Sequence, residues 1–136
     1  MGYKKLASTF AIYWLLPLCY MGVIFCLSSL PSKRISAAMP DYFLHMGEYF
    51  FLSILMIRGF NKGFRRNVEK ESYFMGVIIS SIYAISDEIH QMFVPTRQAD
   101  IRDIAADILG ALAAAGLIYI VLYWKRSRLS AKEWRS

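Results

Sequence analysis

From Leu6 to Ser32 the chain runs 27 residues without a charged side chain, longer than the roughly 20 residues an α-helix needs to cross the hydrocarbon core of a bilayer. Three further segments follow at comparable lengths. Pro40 to Ile57 spans 18 residues with Asp41, His45 and Glu48 in its first half; Tyr73 to Val94 carries no charge until Asp87; Asp103 to Trp124 has its acids at the start and a 17-residue uncharged run from Ile108. In a chain of 136 residues, 57% of them apolar, this much apolar surface exceeds what one small water-soluble core absorbs. The expectation is an all-α membrane protein, a four-helix up-and-down bundle forming a single domain over 1–136, with helices over about 9–30, 41–57, 73–94 and 103–124 and a basic cytoplasmic tail over 125–136.

The short connections orient the bundle. With the N-terminus in the cytoplasm, the inner segments hold Lys4, Lys5, Arg58, Lys62, Arg65, Arg66, Lys70, Lys125, Arg126, Arg128, Lys132 and Arg135, while the outer ones hold Lys33, Arg34, Arg97 and Arg102. Excess Lys and Arg mark the cytoplasmic side, so both termini are expected inside. The basic start of the first segment also resembles a signal peptide, but its apolar stretch, Thr9 to Leu30, is long for one, and retention as an anchor is expected. Tyr13, Trp14, Tyr119, Tyr123 and Trp124 gather near the inner ends, as an interfacial belt does.

Net charge is +6, yet the basic residues fall in short runs between apolar segments and form no continuous polar face, which argues against nucleic acid as a partner. The bilayer is the expected partner, with anionic lipid under the tail, where Trp134 stands among basic residues. Cys19 and Cys26 lie seven apart on one helix face and are expected to pack as small apolar side chains. Ala106, Gly110 and Ala114 form a small-residue row at i+4 intervals, the usual means of bringing two membrane helices close together.

The chemistry concentrates at one end. Of the ten carboxylates, Asp41, Glu48, Asp87, Glu88, Asp100, Asp103 and Asp107 lie in or beside the outer halves of helices two, three and four, together with His45 and His90. An up-and-down bundle brings the end of its third helix beside the starts of the second and fourth. Asp41, His45 and Glu48 stand at i, i+4 and i+7 on one helix face, and Asp103 with Asp107 repeats the i+4 spacing. Asp87, His90 and Gln91 share a face, whereas Glu88 points about 100° from Asp87 and addresses a different neighbour. Arg97, in the turn Val94-Pro95-Thr96-Arg97, is placed to pair with Asp103 or Asp87, and both histidines are placed to donate to carboxylates. Ser28 and Ser29 read as helix-end hydroxyls that bond to backbone.

Ionisable groups at membrane depth cost on the order of 2.5 to 3.5 kcal/mol each, so they face a protein interior or water and find partners. A ligand-binding site of Asp41, His45, Glu48, Asp87, Glu88, His90, Gln91, Arg97, Asp103 and Asp107 is one reading; a purely structural clamp of three helix ends is another. If the site is catalytic, His45, Asp87, Glu88 and His90 are the candidates for moving protons. Carboxylates with histidine also suit a divalent cation. No HExxH pair, cysteine-rich box, GxSxG elbow or phosphate-cradling glycine loop is present.

The string Tyr83-Ala84-Ile85-Ser86-Asp87-Glu88-Ile89-His90-Gln91-Met92-Phe93-Val94-Pro95-Thr96-Arg97 resembles the central motif of the VanZ-like membrane protein family. Upstream, Asp41-Tyr42-Phe43-Leu44-His45-Met46-Gly47-Glu48-Tyr49 resembles its Asp-Lys-x-x-His-x-x-Glu-Tyr element. Downstream, Asp103-Ile104-Ala105-Ala106-Asp107-Ile108-Leu109-Gly110 resembles its Asp-x-x-x-Asp-x-x-Gly element. The likeness extends from about Tyr13 to Tyr123. Tyr42 departs from the usual Lys, which removes an ion-pair partner for Asp41, and Thr96 replaces the usual Gly, which suggests a turn with no need for a glycine-only conformation.

The span lengths and charge bias give a multi-pass protein of the plasma membrane with its polar site on the extracytoplasmic face, and the resemblance implies a link to resistance against the glycopeptide teicoplanin. An outward polar pocket at headgroup level suits an envelope lipid, a lipid-linked sugar or a lipoglycopeptide. The alternatives are a cation-dependent hydrolase or transferase acting on such a lipid, and a structural subunit of another membrane protein. A transporter is the least favoured reading for four spans with apolar centres, although a homo-oligomer would enclose a path.

Overall fold

The computed structural model describes the backbone of residues 2–31, 40–63 and 68–133, and the side chains of residues 11–31, 40–63 and 68–130. Four helices make up these residues: α1 (Gly2–Ser28), α2 (Asp41–Phe60), α3 (Lys70–Gln91) and α4 (Ile101–Glu133). Of the charge pattern above, Lys33, Arg34, Arg65, Arg66 and Arg135 lie outside the described residues, as do Trp134 and the side chains of Lys4, Lys5 and Lys132.

Helix α2 is the axis of the bundle, packing against α4, α3 and α1, while α1 and α4 make no contact among the described residues. Its buried face carries Tyr49, Leu52 and Met56, which meet Ile24 of α1 and Ala84 of α3 in the apolar core. Consecutive helices run antiparallel. At one end Arg97 reaches both Leu30 and Asp41, and Glu88 meets Asp100; at the other Arg58 donates to the Ile12 carbonyl, and Asn61 Oδ1 accepts from the Glu69 amide.

Two glycines set the closest approaches. A Cβ at Gly110 of α4 would strike the backbone carbonyl of Met46 on α2, and one at Gly76 of α3 would strike Ile57 on α2. Ser53 spans the α2–α4 seam by donating to the Ala111 carbonyl at 3.1 Å. The small-residue row thus brings α4 against α2, with Ala106, Gly110 and Ala114 all buried.

Helix ends follow local chemistry more than charge. Helix α3 stops at Gln91, short of the expected Val94, because the residue before Pro95 is held out of helical geometry. Helix α4 continues to Glu133 instead of ending at Trp124. Charged residues beyond 124 mark a polarity boundary, but Lys, Arg, Leu and Ala are good helix formers. Asp100 caps the start of α4, its side chain accepting from the Arg102 amide at 2.8 Å and its carbonyl from the Asp103 amide at 3.0 Å.

Helices α1 and α4 are long and apolar enough to cross a membrane, through Ala11–Ser28 and Ile101–Ser130. Their outward faces expose Leu15, Leu16, Phe25, Leu112, Leu117 and Ile120, apolar surface that water does not favour. Cys19 and Cys26 are free and lie on that exposed side of α1, so they do not pack inside the bundle as expected. The seven-residue spacing kept them on one face, but it could not say which face looked inward.

The turn after α3 also departs from expectation. Thr96 adopts φ +72°, the left-handed conformation that glycine takes without cost and a β-branched residue resists. Threonine therefore occupies a turn that does call for glycine. Thr96→Gly is expected to stabilise the protein by about 1 kcal/mol, seen as a higher thermal midpoint in detergent; an unchanged or lower midpoint would contradict the strained turn.

Candidate binding site at the Arg97 end of the bundle

Four segments converge at this end: the last turn of α1 with Leu30, the first two turns of α2, the end of α3 with its following turn, and the start of α4. Arg97 ties three of them. Its Nε donates to the Leu30 carbonyl at 3.2 Å and its Nη1 to Asp41 Oδ2 at 3.4 Å. The expected partners were Asp103 and Asp87. Asp41 wins because the turn folds Arg97 back over the N-terminus of α2, and this supplies the cation that Tyr42 in place of lysine had removed.

Beneath Arg97 lies a cavity of about 20 Å³ lined by Leu27, Ser28, Asp41, Leu44, His45, Glu48, Asp87, Gln91 and Arg97, room for about one water. Above it opens a polar vestibule of about 430 Å³ lined by Asp41, Tyr42, Gln91, Thr96, Arg97, Gln98, Ala99, Asp100, Arg102 and Asp103. Asp41, Gln91 and Arg97 belong to both and form the partition.

The adjacent acids Asp87 and Glu88 face different ways, as one step of a helix requires. Asp87 turns to the small cavity and accepts from Gln91 Nε2 at 3.1 Å. Glu88 turns to α4, where Oε2 accepts from the Asp100 amide at 3.0 Å. His45 Nδ1 lies 3.4 Å from Asp107 Oδ1 and 3.9 Å from Glu88 Oε1, joining α2, α3 and α4. These contacts are close but not aligned as hydrogen bonds: His45 Nδ1, Glu88 Oε1 and both oxygens of Asp107 are buried without such a partner, as are Asp87 Oδ1, Ser28 Oγ and Tyr49 Oη. A buried polar atom left in that state costs about 1–3 kcal/mol.

The structure thus brings together Asp41, His45, Glu48, Asp87, Gln91 and Arg97 in the cavity, Asp103 in the vestibule, and Glu88 and Asp107 beside His45. His90 stands apart. Its Nε2 lies 3.0 Å from Ser29 Oγ and its ring 4.5 Å from that of Phe25, so it docks α3 on α1 instead of meeting a carboxylate. Ser29 already donates to the Phe25 carbonyl at 2.7 Å, which leaves its oxygen to accept from His90. Sequence reasoning missed Tyr49, whose hydroxyl is buried beside the site, and set Ser28 aside as a helix-end hydroxyl bonded to backbone. The i+4 spacing of Tyr49 from His45 was the available signal; nothing in the sequence distinguished Ser28 from Ser29.

The family described as VanZ/LLP1 matches residues 10–123. The chain belongs to it. No curated protein and no solved structure gives a significant match. VanZ/LLP1 membership and the two apolar helices together support a membrane protein.

Proposed function

We propose that this VanZ/LLP1 protein crosses the plasma membrane four times with both termini in the cytoplasm, and that its Arg97 end faces outward and binds the polar headgroup of an envelope lipid or lipid-linked sugar. The observation that carries this reading is the partition of Asp41, Gln91 and Arg97 between an open polar vestibule and a buried cavity in which Asp87 Oδ1, Ser28 Oγ and His45 Nδ1 lack partners. A clamp serving stability alone would have satisfied those groups. Carboxylates, a carboxamide and a guanidinium are the groups that grip hydroxyl-rich headgroups.

The orientation rests on charge. Of the described connections, the opposite end carries Arg58, Lys62, Lys70, Lys125, Arg126 and Arg128, against Arg97 and Arg102 at the site end. Helices α2 and α3, of 20 and 22 residues, measure about 30 Å and 33 Å at 1.5 Å per residue, and their acids lie almost wholly in the half next to the site. Binding there would alter access to lipid-linked envelope precursors, which is a route to changed teicoplanin susceptibility.

Two measurements test this. In a background free of Cys19 and Cys26, Gln98→Cys should react with an impermeant maleimide in intact cells, and Ser127→Cys only after permeabilisation. In nanodiscs, wild type should retain a polyprenyl-phosphate sugar by native mass spectrometry, with about tenfold weaker retention in folded Asp87→Asn, the loss of roughly one charge-assisted hydrogen bond. Equal retention by both would remove the pocket from the reading. The cation-dependent hydrolase or transferase reading draws on His45, Glu88 and Asp103, whose ligand atoms lie within 4.8 Å of one another; turnover of the bound lipid would favour it.

A further inference from the structure

The geometry points to a binding site for one divalent transition-metal cation, Mn²⁺ or Zn²⁺, held by His45 Nδ1, Glu88 Oε1, Asp107 and Asp103 where α2, α3 and α4 meet. Three observations converge on it. The first is spacing. Ligand atoms 2.0–2.2 Å from a tetrahedral ion stand about 3.4 Å apart, and His45 Nδ1 lies 3.4 Å from Asp107 Oδ1 and 3.9 Å from Glu88 Oε1. One ligand atom each from His45, Glu88 and Asp103 also falls within 4.8 Å of the others. The His45, Asp107 and Glu88 atoms need movements of about half an ångström to meet around an ion, and Asp103 closes in by up to about 1.4 Å.

The second observation is that these atoms are aimed at one another and satisfied by nothing else. His45, Glu88 and Asp107 are only 5%, 2% and 1% exposed, yet Nδ1, Oε1 and both Asp107 oxygens lack hydrogen-bond partners. The remaining Glu88 oxygen is fixed by the Asp100 amide at 3.0 Å, the outer-shell contact that orients a metal-binding carboxylate. A neutral imidazole Nδ1 lone pair and carboxylate oxygens are ligand atoms, so one cation would satisfy the unpartnered atoms of His45, Glu88 and Asp107 together.

The third is charge. Asp41, Glu48, Asp87, Glu88, Asp103 and Asp107 crowd this end, and the guanidinium of Arg97 is committed to Asp41 and the Leu30 carbonyl. At the His45–Asp107 junction the His45 imidazole pairs with Asp107 and Glu88, while Arg97 acts on Asp103. One imidazole with two or three carboxylates suits Mn²⁺ or Zn²⁺ better than Mg²⁺, which keeps several waters and binds through carboxylates and phosphates. Asp103 also lines the vestibule and His45 the inner cavity, so the ion lies between the two. A phosphate in the vestibule would otherwise meet carboxylates; the cation gives it a counter-charge. The ion site does not depend on headgroup binding, and the two are separable.

The test uses the full chain in nanodiscs, stripped with EDTA and titrated with MnCl₂ or ZnCl₂. Wild type should bind one ion per chain, gain thermal stability with added ion, and show an imidazole nitrogen modulation in the pulsed electron paramagnetic resonance of bound Mn²⁺. His45→Gln should lose that modulation, and Asp107→Asn should bind at least tenfold more weakly, while Glu71→Gln at the opposite end should match wild type. No stoichiometric ion in folded wild type overturns the proposal without recourse to any variant, as does an unaltered nitrogen signal in His45→Gln. Lipid retention by a folded chain that binds no ion on titration with MnCl₂ or ZnCl₂ would leave headgroup binding standing and the cation site refuted. An ion that binds while no lipid is retained would do the reverse.

Discussion

Gly110→Ala is expected to lower the thermal midpoint of the purified protein sharply, by the equivalent of about 3 kcal/mol, at the upper end of what overpacking usually costs. The added methyl would meet the Met46 carbonyl, and a helix backbone cannot swing aside as a side chain does. The analogous clash at Gly76 falls first on the Ile57 side chain, so Gly76→Ala should cost less. Nothing lies within 4 Å of a Cβ at Gly47 or Gly116, and alanine there should be neutral or stabilise by about 0.5–1 kcal/mol through its better helix propensity. Gly110→Ala should also reach the site, because forcing α4 from Met46 pulls Asp107 from the neighbouring His45. Thermal unfolding followed by helical circular dichroism, with Gly47→Ala as control, decides it; equal midpoints would mean that α2 and α4 do not touch there.

The second large effect separates stability from binding. Asp107→Asn in EDTA is expected to be at least as stable as wild type, with a gain of about 1 kcal/mol where an unsatisfied buried carboxylate is replaced by a neutral amide able to donate. The same substitution should cost at least tenfold in cation affinity. A structural clamp predicts the opposite: removing one member of a buried ion pair costs about 3–5 kcal/mol. Midpoints measured with and without Mn²⁺ distinguish the two, since the wild-type gain on adding the ion should be absent from the variant. A large loss of stability in EDTA would show that Asp107 is there to hold the helices.

Much of the site was legible because the relevant residues repeat at helical intervals. Asp41, His45 and Glu48 share a face whatever α2 packs against, and Glu88 must diverge from Asp87 by one helical step. The small-residue row around Gly110 likewise marks a close contact before its partner is known. Partners across space were another matter. Arg97 stands within ten residues of Asp87, Glu88, Asp100 and Asp103, and only the path of the turn through a left-handed Thr96 sends it to Asp41. His90 shares a helix with Asp87 but meets Ser29 and Phe25, since its rotation places it toward α1.

The sequence by itself determined the number of helices, their apolar character and the concentration of acids at one end, because these depend on spacing and composition along a single chain. Its charge pattern located polarity boundaries, and α4 runs past one of them. Tertiary structure alone decided which acids meet His45, that Cys19 and Cys26 face outward, and that buried oxygens stand unpaired around a common centre. Those outcomes depend on helix rotation and on backbone separation at Gly110 and Gly76, which packing sets across residues far apart in sequence.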